Sequence, residues 1–510
     1  MNYQISKIEK DNLENKFFNK RYGSVEKDAQ SLIEKGFNQP WIYNVLAITS
    51  AKQKKFKYAE KMFLKVISFE PNDFDHYFNL ANLYREAKDF KKCIEALKTS
   101  IKINSKNIKC LLMLSSIYYK VGDIENGLKV IKLVLDIEPN NLDAMKNEAY
   151  FLVSTGRFWE ALDRYSKILK FDNNKKYFSD ISVCYIFLGD VYNAERFNDL
   201  ADKNANTKYN RGIIQLSQGN YKDGWDNFES GLINKSRILR KGHEKLDHLP
   251  FWTLNEKFSS IVLIGEQGIG DEIMYSTIIS TLSKEIKKIY ILCDPRLKGV
   301  LQNKYPYLKF LNSEQNYNIK RFESKLAIGS LTRYFRVNEK TFTENNGVSN
   351  TKKNKDNKVN VKLKKTIGLS WHTTNKQFGP ERNINLNHFS SLFKDKNLNF
   401  MNLQYGNHET EIKNLEEKLD RKIFLNTNND NKNDIDSLAE NIKKCDLVVT
   451  IDNSTVHLSG FLNVDTLLLL PFVADWRWQK NRSDTPWYSS VKLFRQKQKS
   501  DWITVINEIK

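Results

Sequence analysis

Two hydrophobic rhythms divide this chain. Through about residue 235, apolar residues recur three and four apart, the spacing that lines one face of a helix. The helical segments also repeat. Pro71, Ser105, Pro139 and Asn173 sit 34 residues apart, each after one helical pattern and before the next. A small residue returns with the same period at Ala59, Cys93, Gly127 and Ala161, then as Ala194 and Gly224. The pairs Leu80-Ala81 and Leu114-Ser115 are followed by Tyr84 and Tyr118, and turn positions carry Gly122, Gly156, Gly189 and Gly219. Small residues let the second helix of a pair approach the first, while large ones fill the gap to the next pair.

From about residue 258 the rhythm changes to short β-rich apolar runs. These are Ile261–Ile264, Ile289–Cys293, Lys325–Ile328, Ile367–Trp371, Asn399–Leu403, Lys422–Leu425, Leu447–Ile451 and Thr466–Leu470. Helical patterns separate most of them. Continuous apolar strands alternating with helices predict parallel sheets covered on both faces. A polar, low-complexity stretch within 341–365 separates two α/β halves. The resulting division is 1–39 N-terminal helices with a degenerate capping repeat, 40–235 a repeat array, and 236–257 a linker. An α/β half follows at 258–345, a linker at 346–365 and a second half at 366–510.

Composition narrows the class. The 510 residues carry 81 Lys plus Arg against 61 Asp plus Glu, a formal charge of +20. Lys is spread throughout and accompanied by abundant Asn, as an AT-rich genome would encode. No aromatic-plus-basic stripe marks a nucleic-acid surface, and the charge remains compatible with an anionic substrate. The apolar run Val464–Val473 is about half the ~20 residues a membrane span needs. The N-terminus lacks the apolar core of a secretory signal. A cytoplasmic location without a transmembrane segment is therefore expected, which leaves peripheral membrane contact open. Five scattered cysteines without a C-x-x-C pair argue against a disulfide framework or zinc site.

Candidate chemistry lies where strands end. Gly265 to Glu272, GEQGIGDE, follows a strand and opens a helix. Its glycines, Gly268 and Gly270 among them, permit close backbone approach, and a helix N-terminus offers N–H groups to anions. Asp271 reads equally as a helix cap. The segment Asp452, Asn453, Ser454, Thr455 and His457 also joins a strand to a helix, where hydroxyl and N–H groups could hold a diphosphate. Ser370-Trp371-His372, with Lys376 and Arg382 downstream, gives a strand end and a basic loop suited to phosphate. Gln404 and Trp476 complete the cleft candidates. No metal cluster is evident; Asp434-Ile435-Asp436 is a lone D-x-D in an Asn-rich loop.

The repeats at about 40–235 resemble the tetratricopeptide (TPR) family, with six units, and that likeness implies a peptide or protein bound in the groove. Residues 250–510 carry GEQGIGDEIM, IGLSWH, ERNINL, DLVVTIDNSTVHLSG and LPFVADWRW in family order. They resemble bacterial TPR proteins with a heptosyltransferase-like domain, similar to the ADP-heptose:lipopolysaccharide heptosyltransferases of glycosyltransferase family 9. The resemblance implies an all-α TPR superhelix followed by a GT-B fold of two Rossmann-like halves. It implies a glycosyltransferase without a separate cofactor, its donor substrate a nucleotide-diphosphate sugar and its acceptor a protein or glycan. A Gly-Asp pair opens the first helix in that family and its Asp is the proposed base; here these are Gly270 and Asp271. Its Asp-[ST]-Gly-x-x-His segment binds donor phosphates; here it is Asp452, Asn453, Ser454 and His457, with Asn and Ser replacing the usual Thr/Ser and Gly. The basic residue after the Trp loop matches Arg382. Two other readings remain: a TPR scaffold with a relic domain, and a protein-modifying enzyme analogous to O-linked N-acetylglucosamine transferase.

Overall fold

The computed structural model describes residues 7–314, 321–343, 364–375, 379–425 and 430–509. The chain forms two compact units, Met1–Asn173 and Asn174–Lys510, so the division falls inside the repeated region.

The first unit is helical among its described residues. Helices begin at Pro40, Phe74, Ile108 and Leu142, and their partners at Phe56, Phe90, Ile124 and Phe158, both series 34 residues apart. The period follows from local chemistry. Asp73, Asn107 and Asn141 cap the first helices and Asp89 and Asp123 the second, each accepting a backbone N–H bond. Between the helices, Lys54, Lys88, Gly122 and Gly156 occupy the same left-handed turn position. Ala59, Cys93 and Ala161 are fully buried where the helices meet.

The second unit opens with four more helices, Lys176–Phe187, Val191–Leu200, Ala205–Ser217 and Tyr221–Phe228. Ten strands follow among its described residues: β1 Ser260–Ile264, β2 Lys288–Leu292, β3 Lys309–Phe310, β4 Ser324–Ala327, β5 Lys365–Ser370, β6 Leu398–Asn402, β7 Phe424–Leu425, β8 Leu447–Ile451, β9 Thr466–Leu470 and β10 Val491–Arg495. They form two sheets ordered β3-β2-β1-β4 and β10-β9-β8-β5-β6-β7, with every pairing parallel. Counted from its own first strand, the second sheet runs 3-2-1-4-5-6, the doubly wound order whose reversal point lies between β5 and β8. The first sheet starts the same way, 3-2-1-4. One core joins Trp225 and Phe228 to Ile273, Leu326, Val448 and Trp487; a second fills the other face of the second sheet, around Trp371, Phe389 and Phe400.

Three expectations change. The sequence marks no strand at β3 or β10. The first is two residues long, and β10 is an edge strand with Lys492 exposed, so its apolar run is broken. The stretch 236–257, expected as a linker, is folded onto the first sheet. Leu239 bridges Glu266, the Trp252 N–H donates to the Lys325 carbonyl, and Arg237, Leu246 and Trp252 are buried. Of the expected linker at 346–365, residues 346–363 lie outside the described residues.

Candidate functional site

The turn after β1 in the first sheet lies close to the turn after β8 in the second, because the helices that follow them pack together. After β1, Gly268 stands extended at the N-cap of helix Ile269–Ser276 and its N–H donates to Asp271 Oδ2 at 3.2 Å. Gly270 has a packing reason: a Cβ there would lie 2.8 Å from His457 Cδ2. Helix Ile269–Ser276 therefore approaches helix Ser454–Phe461 too closely for a side chain at this position.

In the second sheet a polar network fixes the reversal point. Gln404 Oε1 accepts the N–H groups of Trp371 and His372, both at 2.8 Å, while its Nε2 donates to the His372 carbonyl at 3.0 Å. Asn453 Nδ2 donates to Ser370 Oγ at 2.9 Å, and Asn453 Oδ1 accepts the Thr455 N–H at 2.9 Å. Asn453 thus caps its helix and ties β8 to β5.

A line of alternating charges crosses from one turn to the other. Asp271 is ion-paired with Arg477. Arg477 Nη1 donates to Asp475 Oδ1 at 2.6 Å. Asp475 Oδ2 lies 3.7 Å from Arg382 Nη2, which is 3.1 Å from Asp452 Oδ2. Burial pushes the Asp475 carboxyl upward, but Arg477 and Arg382 outweigh it and hold the group below its ordinary range. Burial likewise opposes charge on Arg477, and Asp271 with Asp475 raises it well above the ordinary value. The guanidinium also lies 4.5 Å from the Trp476 ring centre, within cation–π range.

The structure separates the other expected site residues. Trp371 is fully buried and donates Nε1–H to Glu411 Oε2 at 3.0 Å, so it belongs to the core and does not line an open cleft. Burial raises the Glu411 carboxyl, but bonds from His408, the Leu386 N–H and Trp371 bring it down to about 2. Thr455 is fully buried, leaving Ser454 half-buried at the helix start. His457 is buried, bonds Tyr488 Oη through Nδ1 at 3.0 Å and stacks on Trp478. Burial pushes it down to about 4, so it is neutral at pH 7 and no cationic phosphate ligand. The His372 ring lies 4.7 Å from His408, and burial with that neighbour lowers its pKa. Trp476 packs on Trp225 and Phe228, with ring centres 5.5 and 5.4 Å apart. Lys376 lies outside the described residues.

Residue-type reasoning misses several charged groups. Arg477 and Asp475 sit beside Trp476 in a segment whose aromatics dominate the pattern; their position just past an apolar strand is the available signal. Glu266 and Glu272, inside the glycine motif, are buried against Arg237 and Arg240. Burial pushes Glu272 up to about 7 against Arg240 and the Asp294 N–H. Cavities of about 440 and 550 Å³ lie elsewhere, between residues 295–304 and 433–444, and no expected site residue lines them. Glu70, Asp73 and His76, at a repeat turn in the first unit, bring possible metal-ligand atoms within 4.8 Å of one another.

The helix pairs are tetratricopeptide repeats, and the chain carries them ahead of parallel α/β sheets. Residues 52–134 match the family model described as anaphase-promoting complex, cyclosome, subunit 3. Protein FlbA of Caulobacter vibrioides is 22% identical over 471 residues, covering 87% of this chain and 73% of FlbA. That match is long enough to extend into the sheets. The BBSome complex member BBS4 homolog of Drosophila melanogaster is 23% identical over 211 residues, 38% of this chain and 43% of its own. Among solved structures, a tetratricopeptide repeat protein from Parabacteroides merdae is similar at 16% identity and a TM-score of 0.37, over 44% of this chain and 90% of that one. Among the described residues, no helix is long and apolar enough to cross a membrane.

Proposed function

We propose that the parallel-sheet region is a GT-B-type glycosyltransferase. It moves a sugar from a nucleotide-diphosphate sugar to a protein or glycan acceptor that the repeats present. One observation carries this reading: the loop after β1 and the loop after β9 meet through the Asp271–Arg477 pair, at the carboxyl ends of two doubly wound sheets. Doubly wound sheets bind ligands at that edge, where strand order reverses. The Ser454 helix start and Arg382 would take the diphosphate, and Asp271 would accept the acceptor hydroxyl's proton.

The test is a melting-temperature screen of the full chain across nucleotide sugars, followed by transfer assays with any stabilising donor. Asp271→Asn keeps an oxygen for the Gly268 N–H and removes the proton acceptor, so transfer should fall ~10²–10⁴-fold, with some loss of melting temperature because Arg477 loses one of its two carboxylates. A scaffold with an inactive domain is the second reading. It is favoured by Asp271 having both oxygens engaged, by Gly268 and Arg477. It predicts no stabilising donor and no transfer by the wild type, while a peptide still binds the repeats.

A further inference from the structure

Two guanidiniums in the charge line are paired with carboxylates: Arg477 also lies on an aromatic face, and Arg382 also donates to the Asp452 carbonyl at 3.4 Å. Arg477 spans Asp271 and Asp475, and its Nε is buried without a hydrogen-bond partner among the described residues. Arg382 contacts Asp452 and lies 3.7 Å from Asp475. Asp475 thus sits between two forks whose planar donors match phosphate oxygens at least as well as carboxylate. Meanwhile Asp271 has no oxygen left over: Oδ1 takes Arg477 and Oδ2 takes the Gly268 N–H. Each oxygen keeps a second lone pair, but an acceptor hydroxyl approaching Oδ1 has to compete with the guanidinium already there.

We propose that Arg477 is an exchangeable counter-ion: a diphosphate binding at Arg382 and Arg477 draws Arg477 off Asp271, so the carboxylate is released only when the anion is present. This rests on the reading of the cluster as a donor site and adds its regulation. The exchange needs Arg477 to pivot while its neighbour stays fixed. Trp476 supplies the anchor, held against Trp225 and Phe228, and its ring gives the guanidinium a second seat. The diphosphate would also give the buried Nε–H an acceptor, removing a cost that the unliganded state carries.

Competition between Asp271 and the anion for one guanidinium has a signature that a simple binding site lacks. Removing the carboxylate should strengthen anion binding. Titration of the full chain with inorganic pyrophosphate, at constant low ionic strength, is the measurement. Asp271→Asn should tighten binding about tenfold, and Arg477→Met should weaken it about tenfold. Arg477→Lys, which keeps the charge and loses the fork, should fall between wild type and Arg477→Met if the fold is intact. Equal or weaker binding in Asp271→Asn overturns the exchange, as does a wild type that binds no pyrophosphate at millimolar concentration. Parallel titrations with ADP and UDP separate an inorganic anion site from a nucleotide site: the same Asp271→Asn gain with a nucleoside diphosphate supports donor exchange. A gain confined to pyrophosphate overturns exchange by a donor. Sugar transfer with an unchanged Asp271→Asn affinity would sink the exchange while leaving the glycosyltransferase reading standing. The full affinity pattern without transfer would do the reverse.

Discussion

The repeats and the sheets solve the same burial problem over different distances along the chain. In the repeats, a position is matched within one period. Leu83, Ile117 and Phe151 are equivalent buried residues 34 apart, and so are their small counterparts Ala59, Cys93 and Gly127. Where the large residue grows to Phe, the small one shrinks to Gly, whose missing Cβ would lie 2.3 Å from Phe151 Cζ. In the sheets partners are remote as well as near: Arg237 meets Glu266 but also Ser330 across 93 positions, and Asp271 meets Arg477 across 206. A local rule can be read from one segment, whereas a remote pair needs the topology first.

Matching by buried charge, which the sheet region uses and the repeat cores, among the described residues, do without, should be the costlier to break. Arg237 and Glu266 are both essentially dry, bonded at 2.7 Å, with Glu229 as a second partner at 2.8 Å. Burial raises the Glu266 carboxyl, and Arg237 opposes that. Arg237→Met leaves Glu266 uncompensated and should cost ~3–5 kcal/mol in chemical denaturation of the full chain. Replacing both, Arg237→Met with Glu266→Leu, should restore most of it. Equal losses in single and double variants would show that packing, not the charge pair, holds this contact.

The local kind should break more gently and be repairable from one neighbour. Gly127→Ala forces Phe151 aside, costing ~1–3 kcal/mol from overpacking, offset by about 1 kcal/mol of helix propensity. Phe151→Leu alone opens a cavity costing ~1 kcal/mol or more. Together they should be less destabilising than the two losses added, a coupling that a double-mutant cycle on melting would read. Additive losses would mean that the two positions are not matched.

The same contrast decides what the sequence discloses. Helix starts, caps and turns recur because each depends on residues a few positions away. β8 and β9 are visible because parallel sheets bury both strand faces. Leu239 to Trp252 reads as a connector because nothing near it shows that Arg237 has a carboxylate 29 residues on. Asp475 and Arg477 read as companions of tryptophans because their partners, Arg382 and Asp271, come from other loops. His457 reads as a phosphate candidate by position, and only its burial against Tyr488 and Trp478 makes it neutral.

The smallest expected effect tests the local rule where the chain departs from it. The left-handed turn carries Gly122 and Gly156 but Lys54 and Lys88, with φ of 60° and 62° at the lysines. A Cβ in this region crowds the following carbonyl, at a cost of roughly 1 kcal/mol. Glycine avoids that but adds freedom to the unfolded chain, offsetting part of the gain. Lys88→Gly should therefore stabilise by about 0.5 kcal/mol, a rise of about 1–2 °C in melting temperature. Lys88→Ala is the control, because it keeps the Cβ and should give no comparable rise. A gain in Ala equal to that in Gly would assign the effect to the lysine side chain and its charge. A gain in Gly alone would assign it to the backbone, and Lys54→Gly should then give the same small rise one period earlier.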